Sequence, residues 1–224
     1  MALITANHRN MIGKSREYME YIDNHIKNVQ QAFRNLFFNP VRCLADAKIE
    51  GITKENWDRF IERLEEEINN HDLTKYSDME FYDYRQKYYP TENEKYEYEN
   101  NEMYHKLVDE RYESAWQHHY YNNYHHPKFW KAVEIHNMDE FGVPVDYVPI
   151  YNQREVPLDM TVIAILHMIC DWEAMSIKFN SNTIDWYKSS KSDEERRDMS
   201  SNTRKLVKQI LEYLYDVELS DELL

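Results

Sequence analysis

Apolar residues recur every three or four positions along most of this chain, the spacing of one buried helix face. From Ser15 to about Phe38 the stripe runs through Tyr18, Ile22, Ile26, Val29, Phe33, Leu36 and Phe37, and Asn39-Pro40 halts it. Val41 to Gly51 reads as a short helix or connection. Thr53 is placed to cap a strongly helical run from Lys54 to Asn70, with Trp57, Phe60, Ile61, Leu64 and Ile68 on its inner face. Ser77 is placed to cap another short helix, and order returns with Arg111 to Tyr121. Residues 137–157, with Gly142, Pro144, Pro149 and Pro157, form a loop with room for a short β-hairpin at most. The best buried helix is Leu158 to Phe179. A polar connection from Lys188 to Ser200 and an amphipathic helix from Thr203 to Tyr215 complete the pattern, which predicts an all-α fold.

Composition agrees with that class. Only three glycines and six prolines occur in 224 residues, a length that suits one domain over 1–224. Residues 80–113 change the picture, because Tyr and Glu dominate there and aliphatics thin out. This stretch reads as a solvated insertion, a hairpin or helix pair. A formal charge of -14 repels a phosphate backbone, which argues against a long nucleic acid but not against a single nucleotide. Cys43 and Cys170 have no CxxC spacing, so neither a disulfide framework nor a zinc knuckle is indicated, and a reducing cytoplasm fits. Met1 to Ser15 lacks the apolar core of a signal peptide, and Met160 to Cys170 is too short to span a bilayer.

Chemistry enters where the second helical run ends, at His71-Asp72-Leu73-Thr74-Lys75. Adjacent imidazole and carboxylate groups can reach one metal ion, although a helix-terminal His and a capping Asp would read the same. His25 lies on or beside the inner face of the first helix, where a core histidine bonded to a neighbour is the structural alternative. Four histidines fall within nine residues, His118, His119, His125 and His126, with Asn122 among them. His118 and His125, or His119 and His126, share a helix face. Asp171 interrupts the best buried helix, and a buried carboxylate demands a partner. Trp172, Arg154, His167 or a cation could supply it.

This ordered series resembles the HD-domain superfamily of metal-dependent phosphohydrolases: a first-helix His, the adjacent His-Asp, optional further histidines and a distant Asp on an all-helical scaffold. The run His71 to Tyr76, the stretch Ala115-Trp116 to Pro127, and Asp171-Trp172-Glu173-Ala174-Met175 look more closely like a small uncharacterised family of phages and bacteria. The resemblance implies an HD-like helical bundle carrying the Tyr/Glu-rich insertion. It implies that His25, His71, Asp72 and Asp171 hold one divalent ion, and that Asp72 bridges to a second where His119 and His126 join, with His118, His125 and Asn122 as lesser candidates. Lys75 would contact a phosphate oxygen. The ion could be Mn, Fe, Co, Ni, Zn or Mg, and the substrate a nucleotide or other small phosphorylated compound. Homo-oligomerisation is left open. Two features of relatives are missing: no glycine-rich signature follows His118-His119, and Tyr21 stands where a carboxylate one turn before the first His is usual. A non-catalytic HD scaffold binding a ligand or protein, and a di-iron HD-type oxygenase, are the alternatives.

Overall fold

The computed structural model describes residues 2–150 and 153–223, with side chains from His8 onward at the amino end. Helices dominate these residues, and strands are confined to one hairpin. The chain runs α1 (Ala2–Phe37), α2 (Trp57–Asn69), α3 (Phe81–Tyr88), α4 (Glu92–Asn100), α5 (Glu102–Asn122), α6 (Pro127–Ala132), β1 (Val133–Met138), β2 (Pro144–Pro149), α7 (Val162–Phe179), α8 (Thr183–Lys188), α9 (Asp193–Asp198) and α10 (Ser201–Tyr215). Among the described residues, no helix is long and apolar enough to cross a membrane. The chain divides into two compact units, one holding the residues up to His25 with Asp72–Asn123, the other Ile26–His71 with the residues from Tyr124 on.

Aromatic packing organises the first unit. Tyr18, almost fully buried, has its ring centre 5.2 Å from that of Phe81 and 5.6 Å from that of Tyr89. Tyr84 meets Tyr112 edge-on, joining α3 to α5. The Tyr/Glu-rich stretch is therefore helical, with Tyr84 buried between its helices and Tyr82, Tyr88 and Tyr96 exposed. Its one wholly unburied helix is α4, the acidic run. The α3–α4 turn is locked by one carboxylate used twice. Glu94 accepts both guanidinium arms of the buried Arg85 at 2.6 Å and also closes a capping box with Thr91. Ser77 does not act as a side-chain cap. Its carbonyl accepts the Glu80 and Phe81 amides, while its buried hydroxyl finds no hydrogen-bond partner among the described residues.

In the second unit, α7 is the core element. Every side chain from Ile163 to Cys170 is buried, and each large aliphatic among them contributes roughly 2 kcal/mol of burial energy. The helix packs against α2, α8 and α10. Facing stripes come from Phe60, Leu64 and Ile68 of α2 and from Val207, Ile210, Leu211 and Leu214 of α10. Asn56, not Thr53, is the N-cap of α2; Thr53 lies four positions before Trp57 and exchanges hydrogen bonds with Asn56 in the turn ahead of the helix. The hairpin pairs Val133 with Pro149 through to Met138 with Pro144. Gly142 at its tip has φ 86° and lies so close to Thr161 that a Cβ there would stand 2.8 Å from Thr161 Cγ2.

Several boundaries differ from the sequence pattern; α7, for one, begins at Val162 and not at Leu158. α1 starts at Ala2, not near Ser15, the Ala, Leu, Met, Arg and Lys of that stretch being good helix formers. The polar segment from Lys188 to Ser200 contains α9. Asp193, Glu194 and Glu195 fill that helix's first turn and Arg196 and Arg197 its last, an arrangement the helix dipole favours and apolar periodicity cannot reveal.

Candidate metal centre

Each unit gathers its own set of imidazole and carboxylate groups. In the second unit, His71 extends the buried stripe of α2 by three residues beyond Ile68, so the helix that ends there delivers its ring into the core. His167 comes from the middle of α7. His125 follows Tyr124, whose carbonyl accepts the Trp130 indole N–H at 2.7 Å and so pins the α5–α6 connection. The three rings are buried, and they offer ligand atoms all within 4.8 Å of one another. His71 Nδ1 lies 2.9 Å from His167 Nε2, and His71 Nε2 lies 3.8 Å from Asp171 Oδ1. Two imidazole nitrogens bound at about 2.1 Å to one ion at a right angle stand about 3 Å apart, so this set could hold a metal. His126 is half-buried at the start of α6, its ring 4.2 Å from that of His125.

Asp171 has the setting its position demanded. Trp172 is engaged elsewhere, donating its indole N–H to Glu195 at 2.9 Å, and the Arg154 guanidinium binds the Val133 carbonyl. Burial first, and the charge of Asp171 second, push the Glu195 carboxyl up to about 7 despite that indole bond. Asp171 thus faces an imidazole of the triad on one side and the repulsion of Glu195 on the other, which a nearby cation would relieve.

The first unit centres on Asp72. This residue has φ 55°, the left-handed conformation, and its side chain makes no cap hydrogen bond. The carboxylate is directed to other groups instead. Lys75 Nζ lies 2.5 Å from Oδ2, His25 Nε2 3.8 Å from Oδ2, and His119 Nε2 3.4 Å from Oδ1. The plain capping reading of the His-Asp pair therefore fails for Asp72, whose backbone strain turns a fully buried carboxylate toward two imidazoles.

Behind His119 stands a residue the sequence did not single out. Glu80 is fully buried, with Oε2 3.0 Å from His119 Nδ1 and Oε1 2.8 Å from His118 Nδ1. Burial alone would raise its pKa, but hydrogen bonds from His119, His118 and Thr74, with the nearby His119 charge, bring it below the ordinary carboxylate value. Asn122 donates to the His118 carbonyl, and the neighbouring Asn123, also missed, donates to Thr74 Oγ1 at 2.8 Å.

Of the residues expected at one ion, His71 and Asp171 meet in the second unit, and His25 and Asp72 meet in the first. His119 joins Asp72, and His125 joins His71. His167 was considered only as a partner for Asp171. Its signal was present in the sequence, a lone imidazole inside an apolar run and four residues from an aspartate. Glu80 gave no comparable signal, being one of many glutamates in a stretch that reads as surface.

A family model described as a family of unknown function (DUF5662) matches residues 14–213. The chain belongs to that family. The match begins within α1 and ends within α10, so it takes in both sets of residues. No curated protein and no solved structure matches the chain.

Proposed function

We propose that this DUF5662 protein is a metal-dependent phosphohydrolase of the HD type, acting on a nucleotide or another small phosphorylated substrate. The observation that carries the reading is the convergence of His71, His125 and His167 in an otherwise apolar core, with Asp171 at 3.8 Å from His71. Removing three imidazoles from water is costly, and a divalent ion repays that cost. The residues fit such an ion by chemistry as well, since neutral imidazole and carboxylate suit the borderline transition metals. Bound there, a divalent ion supplies an acidified water and offsets charge on phosphoryl oxygens.

The chain's own groups have separate tasks in this reading. His71, His125 and His167 hold the ion, and Asp171 supports it from the opposite nitrogen of His71. Within the first unit, Asp72 with His25 and His119 forms a ligand set of its own. Lys75 brings a cation to a phosphate oxygen, and its ammonium group at Asp72 favours phosphate over an uncharged substrate.

The test begins with elemental analysis of untagged protein beside the Asp171→Ala variant, each repeated after manganese addition. About one or two ions per chain, lost in the variant, are expected, followed by phosphate release from a nucleotide panel. A site that stays empty after manganese sinks the reading.

A further inference from the structure

We infer that Glu80 is a positioning residue that places the Nδ1 hydrogens of His118 and His119 together; for His119 this turns Nε2 toward Asp72. The inference rests on the metal-dependent reading for its functional meaning, and on the hydrogen-bond geometry of the first unit for its content.

Consecutive helix residues point about 100° apart, so two neighbouring histidines do not ordinarily share a partner. Here one carboxylate reaches both, Oε1 to His118 Nδ1 at 2.8 Å and Oε2 to His119 Nδ1 at 3.0 Å. A carboxylate only accepts, so each Nδ1 must carry the hydrogen. Two contacts argue the other way, because the Asn123 amide lies 3.1 Å and the Thr74 hydroxyl 3.3 Å from His119 Nδ1, and either could donate to it. The donors of that amide are already engaged. Its two hydrogens are used by Thr74 Oγ1 and by the His119 carbonyl, both at 2.8 Å. Thr74 in turn bonds to Glu80 through its side chain, which uses its only hydrogen. The network closes with Glu80 receiving three donors, and no assignment with a bare His119 Nδ1 leaves Glu80 Oε2 facing anything but a second acceptor.

The consequence falls on the far side of the ring. His119 Nε2 faces Asp72 Oδ1 at 3.4 Å. An outer carboxylate that holds Nδ1 in this way orients the opposite nitrogen of a ligating imidazole toward a cation. His118 is held the same way, but its side chain is 27% exposed, so its Nε2 is available nearer to solvent.

Long-range ¹H–¹⁵N spectra of ¹⁵N-histidine protein read each tautomer, with His118→Gln and His119→Gln for assignment. The wild type should show Nδ1–H for both rings. Glu80→Gln keeps shape but offers one acceptor and one donor, so one ring should switch, and manganese affinity measured by calorimetry should fall about 10- to 100-fold. A His119 Nδ1 that carries no hydrogen in the wild type overturns the inference, as does a Glu80→Gln protein with both rings and affinity unchanged. A wild type that binds no manganese counts against the hydrolase reading instead, since the tautomer readout still judges Glu80. Should Glu80→Gln fail to fold, the wild-type spectrum decides alone.

Discussion

At the scale of single residues, Asp72 carries the most consequence, because its backbone and its side chain serve different ends. A left-handed conformation costs an ordinary L-residue about 1 kcal/mol, and Asp and Asn bear it best. Asp72→Asn should therefore keep the turn while removing the carboxylate, and Asp72→Ala should lose about 1 kcal/mol more. Urea unfolding separates the two variants, and metal content should fall in both. Equal stability of the pair would mean that the turn is not under strain. The site was legible in the sequence as far as residue types announce themselves: His25, His71, Asp72 and Asp171 stand out by type and position. Glu80 and Asn123 do not, because a buried orienting group is defined by what surrounds it in three dimensions, and the nearest sequence cue to Glu80 was a misleading acidic neighbourhood.

At the scale of elements, α7 and α9 are joined by the Trp172–Glu195 bond, and the burial of Glu195 beside Asp171 sets a pH dependence that this bond only moderates. Glu195 titrates at about 7 when folded, raised chiefly by burial and then by Asp171, with Glu194 and Asp198 adding smaller repulsion, against a reference of 4.5. Between those values the folded state binds a proton that the unfolded state has released, so stability falls as pH rises. The contribution is complete below about 4.5 and gone above about 7, amounting to about 3 kcal/mol in metal-free protein. Glu195→Gln should abolish it, which unfolding midpoints at pH 5 and 8 would read as a smaller difference than in the wild type. The bond also explains a limit on legibility. Long stripes on α1, α2, α7 and α10 were plain, since a helix of several turns repeats its message. A helix of six residues such as α9 has too few turns to show a period, and it is held by charges and by one indole instead.

At the scale of the whole molecule, the sequence foretold a helical class and an acidic chain, and both hold. It did not foretell that the chain forms two compact units whose boundaries fall beside His25, between His71 and Asp72, and after Asn123, because periodicity reports which face of a helix is buried and not which helices share a core. Those boundaries make metal linkage a test of the fold as well as the site. An ion bound only by the folded chain stabilises it by RT ln(1 + [L]/Kd), about 2.7 kcal/mol at a hundredfold excess over Kd. In a chain of 224 residues that raises Tm by about 5–10 °C. His167→Ala should lose most of the shift while unfolding at a somewhat lower temperature without metal, since a buried ring has been removed. Calorimetry with and without manganese reads both effects. A wild-type shift preserved in His167→Ala would place the ion away from the buried triad.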